Sequence, residues 1–108
     1  MFFEVSKEAI ASIGQPVRHK LLNYRGVVYD VDPVFMLSDE WYKVVAKSRP
    51  PKNEPWYRIL VHNSPKETYV AERNLIVDKS GEPIDHPQME RYFVDYFDGR
   101  YIPARSNN

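Results

Sequence analysis

The run Trp56-Tyr57-Arg58-Ile59-Leu60-Val61-His62 constrains this chain more than any other segment. It is rich in aromatic and β-branched residues and lies between Pro55 and the turn residues Asn63-Ser64-Pro65-Lys66-Glu67, so it reads as a β-strand. Strand side chains alternate, so Tyr57, Ile59 and Val61 share one face. Trp56, Arg58, Leu60 and His62 share the other. Thr68-Tyr69-Val70-Ala71 follows the turn as a second strand, and the two form an antiparallel hairpin.

The flanking sequence has the same short-element grammar. Gly14-Gln15-Pro16 is a turn. From Val17 to Val31 the strand-forming residues Leu21, Leu22, Tyr24, Val27, Val28 and Tyr29 make either a strand pair or one long bent strand. Gly26 inside this run marks a bulge or a corner. Asp32-Pro33 ends it, because proline cannot donate to a ladder. Ser38-Asp39-Glu40 predicts a helix start, with Trp41, Val44 and Val45 on the inner face and Arg49-Pro50-Pro51 as the stop. Asn74 to Val77 is a further short strand, followed by a turn at Ser80-Gly81-Glu82-Pro83. Beyond His86 the chain is acidic and aromatic. Met89, Phe93 and Tyr96 or Phe97 fit one helix face, Asp98-Gly99 is a turn, and Tyr101-Ile102-Pro103 is extended. At the other end, Ser6 either caps a short helix stapled by Val5 and Ile10, or the segment is an arm.

Short strands, one short helix between strands and many turns predict a mainly-β chain curled into a small barrel, since closure protects sheet edges. The expected organisation is an N-terminal arm over residues 1–13, a barrel core over 14–78 and a variable C-terminal aromatic and acidic extension over 79–108. That extension either closes the barrel or reaches across to another subunit, which leaves a homo-oligomer open.

A chain of 108 residues without cysteine has no disulfide, thiol nucleophile or cysteine metal site, which suits a reducing cytoplasm. No apolar run reaches the ~20 residues needed to span a bilayer. The serines sit at turns, caps and ends, and the glycines form no phosphate loop. His19, His62 and His86 lack metal-ligand spacing, so neither a metal nor a cofactor is expected. Asp30 and Asp32 point to one side of an extended strand, and a solvent-facing turn entry explains them better than acid–base chemistry. The expectation is a non-enzymatic protein.

Lys and Arg together number 15, as do Asp and Glu, so the formal net charge is zero. DNA-binding domains usually carry a basic excess, so this balance favours a protein partner or a basic patch compensated elsewhere. Trp41 to Asn53 holds Lys43, Lys47, Arg49 and Lys52 with no acid, whereas Glu82 to Asp98 holds five acids against Arg91. Tyr24, Tyr29, Trp56, Tyr57 and Tyr69 lie on predicted strands among Arg18, Lys20, Arg25, Arg58 and Arg73. Such aromatics are either core or, beside cations, a surface for stacking bases or capturing peptide side chains. Arg18, His19, Tyr24, Arg25, Tyr57 and Tyr69 are the candidate binding residues, with Lys43, Lys47, Arg49 and Lys52 as a basic patch.

Four segments in order resemble one known family. Gly14-Gln15-Pro16-Val17-Arg18-His19 is similar to the I-G-Q-x-V-R-H opening of the hemimethylated-DNA-binding (YccV-like) domains. Residues 24–34, Tyr-Arg-Gly-Val-Val-Tyr-Asp-Val-Asp-Pro-Val, resemble its Y-x-G-V-V-x-D-V-D-P-x segment. Pro55-Trp56-Tyr57 with Val61 resembles P-W-Y-x-V-L-V, and residues 68–75 resemble T-Y-V-A-E-x-x-L. The resemblance runs from Ile13 to about Val77 and weakens at both ends. It implies an SH3-like β-barrel and, for stand-alone bacterial members of the HspQ heat shock type, a role in stress response. The partners it implies are the protease Lon, the replication initiator DnaA with denatured proteins as degradation targets, and hemimethylated duplex DNA as the alternative.

Overall fold

The computed structural model describes residues 8–104. The expected Ser6 cap and the Val5 staple position lie outside these residues. Five strands form one antiparallel sheet: β1 (Pro16–His19), β2 (Arg25–Asp32), β3 (Trp56–Val61), β4 (Glu67–Ala71) and β5 (Leu75–Val77), in the order β4-β3-β2-β1-β5. A helix, α1 (Asp39–Val45), lies between β2 and β3. After β5 come a single helical turn, α2 (Met89–Tyr92), and a two-stranded hairpin of β6 (Phe93–Phe97) and β7 (Arg100–Pro103). The chain is thus mainly β with a short helix between strands. A 3-10 turn, Glu72–Asn74, joins the sheet's two edge strands, but no ladder is formed between β4 and β5, so the sheet remains open.

The segment from Val17 to Val31 is a strand pair, with Asn23 in the left-handed region at φ 56° inside the connecting turn. Gly26 is not the bulge. A β-carbon there would lie 2.5 Å from the Leu60 carbonyl oxygen, so glycine serves the close approach of β2 to β3. The register shift falls between Val28 and Asp30. The extra residue re-phases the strand. Val28 and Val31 both reach the core cluster of Val17, Tyr57, Ile59, Val70 and Leu75, while Asp30 and Asp32 come to flank Arg58.

Both faces of β3 are covered. The Tyr57 and Ile59 face packs in that inner cluster. On the other face Leu60 and Val27 are buried under Ile84 and Phe93 from the C-terminal segment, and Trp56 is buried with Ala46 and Ala71 under Phe35, Trp41 and Tyr42. The C-terminal segment therefore folds back on its own chain.

Two further expectations are corrected. Ser38 does cap α1, accepting from the Trp41 amide at 3.1 Å, but Val44 and Val45 face outward, at 69% and 53% exposure. Trp41 faces the core as expected, and Tyr42 joins it in place of the two valines, because Phe35 from the preceding loop fills the space between this short helix and Trp56. The helical face from Met89 to Tyr96 or Phe97 is also broken, since α2 stops at Tyr92. Asp98 and Gly99 both take positive φ, 52° and 81°, the geometry of a tight hairpin turn. That turn pairs Tyr96 with Tyr101, and strand wins over helix.

Candidate binding groove

A groove of about 690 Å³ opens beside the outer face of the sheet. Trp56 and Tyr69 form its floor, with ring centroids stacked at 5.2 Å. Trp41 and Val45 of α1 make one wall. Leu21, Leu22 and Tyr24, from the turn between β1 and β2, make the other. Leu21 and Leu22 are 66% and 71% exposed, so the rim is apolar and open.

Hydrogen bonds hold these walls. The buried His19 ring accepts at Nδ1 from the amides of Leu21 (3.1 Å) and Leu22 (3.0 Å), which fixes the leucine turn. Burial pushes the His19 imidazole below its usual value, which favours the neutral ring this contact requires. The Tyr24 hydroxyl meets Thr68 Oγ1 at 2.7 Å and bridges the β1–β2 turn to β4. The Tyr69 hydroxyl donates to Asp32 Oδ2 at 2.7 Å and accepts from the Met36 amide at 3.1 Å, and that of Tyr29 donates to Glu67 Oε1 at 2.6 Å. Burial, and then donation to a carboxylate, raise the phenols of Tyr29 and Tyr69 far above the usual tyrosine range. Burial alone raises that of Tyr24, against its bond to Thr68. All three stay neutral at physiological pH.

Three candidates from the sequence, His19, Tyr24 and Tyr69, meet in this groove. The other three do not. Tyr57 is wholly buried and donates to Glu72 Oε1 at 2.7 Å, so it offers no surface. Arg25 pairs with Asp78 at 2.7 Å and donates to the Glu82 carbonyl at 2.6 Å, tying β2 to the segment after β5. Arg18 donates to Asn23 Oδ1 at 3.0 Å within its own hairpin.

The basic stretch is also divided. Lys47 lines the groove and Lys43 is exposed on α1. Lys52 binds Asp39 at 3.0 Å and sits 4.4 Å from the centre of the Tyr42 ring, with Arg49 5.8 Å from the same ring. Arg58 lies 4.8 Å from the Tyr69 ring centre and 3.8 Å from both Asp30 and Asp32.

The leucine rim was missed in the sequence because Leu21 and Leu22 read as strand residues. Two adjacent leucines leading into Asn23, a turn former, were the signal for an exposed apolar turn. Trp41, expected in the core, serves both the core and the groove.

The remaining histidines are also engaged with backbone. His62 Nδ1 accepts from the Asp85 amide at 2.8 Å. His86 Nδ1 accepts from the Gln88 amide at 3.0 Å, so its Nε2–H faces the Lys66 carbonyl at 3.0 Å. Among the described residues no group of three or more His, Asp or Glu is gathered as metal ligands, and no helix is long and apolar enough to cross a membrane.

Fold and groove together define a small antiparallel β domain with an open aromatic cleft. A family model described as hemimethylated DNA-binding protein YccV-like matches residues 11–101, and the chain belongs to that family. The matched span includes Ala11 in the inner cluster, Gly14, and Tyr101 of the C-terminal hairpin.

Proposed function

We propose that this chain acts by contact and not by catalysis, as a cytoplasmic stress-response protein of the HspQ type. In this reading it promotes degradation of denatured proteins and of the initiator DnaA through the protease Lon. The groove carries the proposal: an apolar aromatic cleft with an exposed leucine rim suits the apolar side chains of another polypeptide. The engagement of its tyrosines and of the three histidines in internal hydrogen bonds supports a contact role. The open sheet is read as an SH3-like barrel whose seam lies between β4 and β5, bridged by the turn at Glu72–Asn74.

The test follows the half-lives of DnaA and of a heat-denatured reporter, with Lon, in the presence and absence of this protein. Shorter half-lives in its presence are expected. The pair Leu22→Ser and Val45→Ser should remove the effect while leaving the fold unchanged, since both residues are exposed. Unchanged half-lives overturn the reading.

A second reading, binding of hemimethylated duplex DNA, is favoured by the family's description and by the exposed Lys43 and Lys47. It predicts affinity that falls steeply with salt, with a log–log slope of about −0.9 per phosphate contact. Affinity insensitive to strand methylation removes it.

A further inference from the structure

The groove follows the free edge of β4. Five consecutive residues, Glu67 to Ala71, line it. Successive strand side chains point to opposite faces, so a cavity on one face meets every second residue. A cavity that meets all five runs along the edge.

The register decides which backbone groups that edge presents. The Val61 amide donates to the Lys66 carbonyl at 3.1 Å, and the Glu72 amide donates to the Pro55 carbonyl at 3.0 Å. Thr68 and Val70 stand opposite Ile59 and Tyr57 in the same register. Hydrogen-bonded and non-bonded pairs alternate in an antiparallel ladder, so Lys66, Thr68, Val70 and Glu72 turn their backbone groups toward β3. Glu67 and Tyr69 therefore turn their N–H and C=O groups outward, into the groove. Among the described residues β4 has no strand partner besides β3, and no backbone contact satisfies these groups.

An edge with unpaired donors and acceptors is a template for another extended chain. Donors and acceptors side by side match a polypeptide backbone. Phosphate oxygens accept only, and would leave the two carbonyls unserved. The charge points the same way: the charged residues lining the groove are Lys47, Arg58 and Glu67, and Arg58 is already flanked by Asp30 and Asp32. That leaves little surplus for a polyanion. The aromatic floor lies alongside the edge, so every second side chain of an added strand would face Trp41 and Tyr69.

We propose that an extended, unfolded polypeptide segment with apolar side chains at alternate positions adds to β4 as a further strand of the sheet, the mode known as β-augmentation. This rests on reading the groove as a protein contact, and it names the class of segment captured: non-native, strand-forming and apolar on one face, with backbone recognition making the choice tolerant of sequence.

The test uses the full chain and a fluorescent nine-residue peptide alternating Phe or Val with Thr or Lys. Two further versions carry backbone N-methyl groups on the odd or on the even positions. Unmodified peptide should bind, one N-methylated version should lose about tenfold or more, and the other should bind nearly as well. Hydrogen exchange should slow at the Glu67 and Tyr69 amides on binding. Peptide that binds equally well in all three versions, with no change at those amides, overturns strand addition and leaves the groove as a side-chain contact. Absence of peptide binding overturns the proposal and the protein-contact reading together. If a duplex methylated on one strand binds instead and slows those two amides, the groove belongs to DNA.

Discussion

The Tyr101 amide donates to the Gly14 carbonyl at 2.9 Å, and this bond joins the C-terminal hairpin to the turn that opens the sheet. Gly14 has φ +93°, and a β-carbon on it would overlap the Tyr101 carbonyl oxygen. Arg100 reinforces the junction by donating to Ser12 Oγ. The Tyr101 hydroxyl also accepts from the Ile84 amide at 2.7 Å, so the hairpin is held at several points.

Gly14→Ala should therefore cost about 2 kcal/mol or more, from backbone strain and the displaced hairpin. Thermal unfolding should move down by roughly 10 °C. Hydrogen exchange should quicken at Tyr101 before it does in β2 and β3, if the hairpin detaches first.

Tyr57→Phe should be destabilising although it removes one atom. The hydroxyl donates to the buried Glu72 carboxylate and lies 3.4 Å from the Ala11 amide, which donates to it. Its loss should cost about 1–3 kcal/mol in denaturant unfolding. Tyr57→Ala adds a cavity in the inner cluster and should cost about 3–5 kcal/mol.

Arg25→Ala should destabilise the fold by about 2 kcal/mol, the scale of lost charge-assisted hydrogen bonds, and leave peptide binding at the groove unaffected. The same pair makes stability depend on acid. Burial would raise the Asp78 carboxyl, but Arg25 and Ser80 outweigh it and hold the group below its usual value. A depressed carboxylate contributes stability in full above its unfolded value near 3.9, and the contribution fades as pH falls through the folded value. Arg25→Ala should flatten the stability curve below about pH 4; an unchanged curve would remove Asp78 from the acid response.

His19 should set a second pH dependence nearer neutrality. Its folded-state value lies below the unfolded 6.5 because the ring is buried. Its stabilising contribution is therefore complete above pH ~6.5 and declines as pH falls from there toward the folded value. Protonated Nδ1 cannot accept, so the Leu21 and Leu22 amides should shift in NMR spectra along with the His19 titration. Amides that stay still while the ring titrates would separate His19 from the leucine rim.

Much of the architecture was legible locally. The strand at Trp56–Val61, the turn that follows it and the Ser38 cap all rest on a few neighbouring residues, and each appears in the fold, with His62 falling in the turn and Glu67 opening β4. The groove was legible only in part. His19, Tyr24 and Tyr69 stood out as aromatic or basic residues on strands, but nothing nearby in sequence distinguished them from Tyr57 or Arg25. Tyr57 and Tyr69 are both strand tyrosines whose hydroxyls donate to carboxylates, yet one is entombed and the other lines a cleft.

The order of residues, by itself, determined the strand at Trp56–Val61, the turn after it and the start of α1, because turn chemistry, alternation and capping are short-range effects. It also determined that no thiol chemistry exists here, since no cysteine is present. Only the tertiary structure decided which face of β3 meets which cover, that Ile84 and Phe93 shield Leu60 while Trp41 shields Trp56, and that the edge of β4 is left open beside aromatic rings. Those outcomes depend on contacts between segments tens of residues apart, and a strand's own pattern carries no mark of what will lie against it.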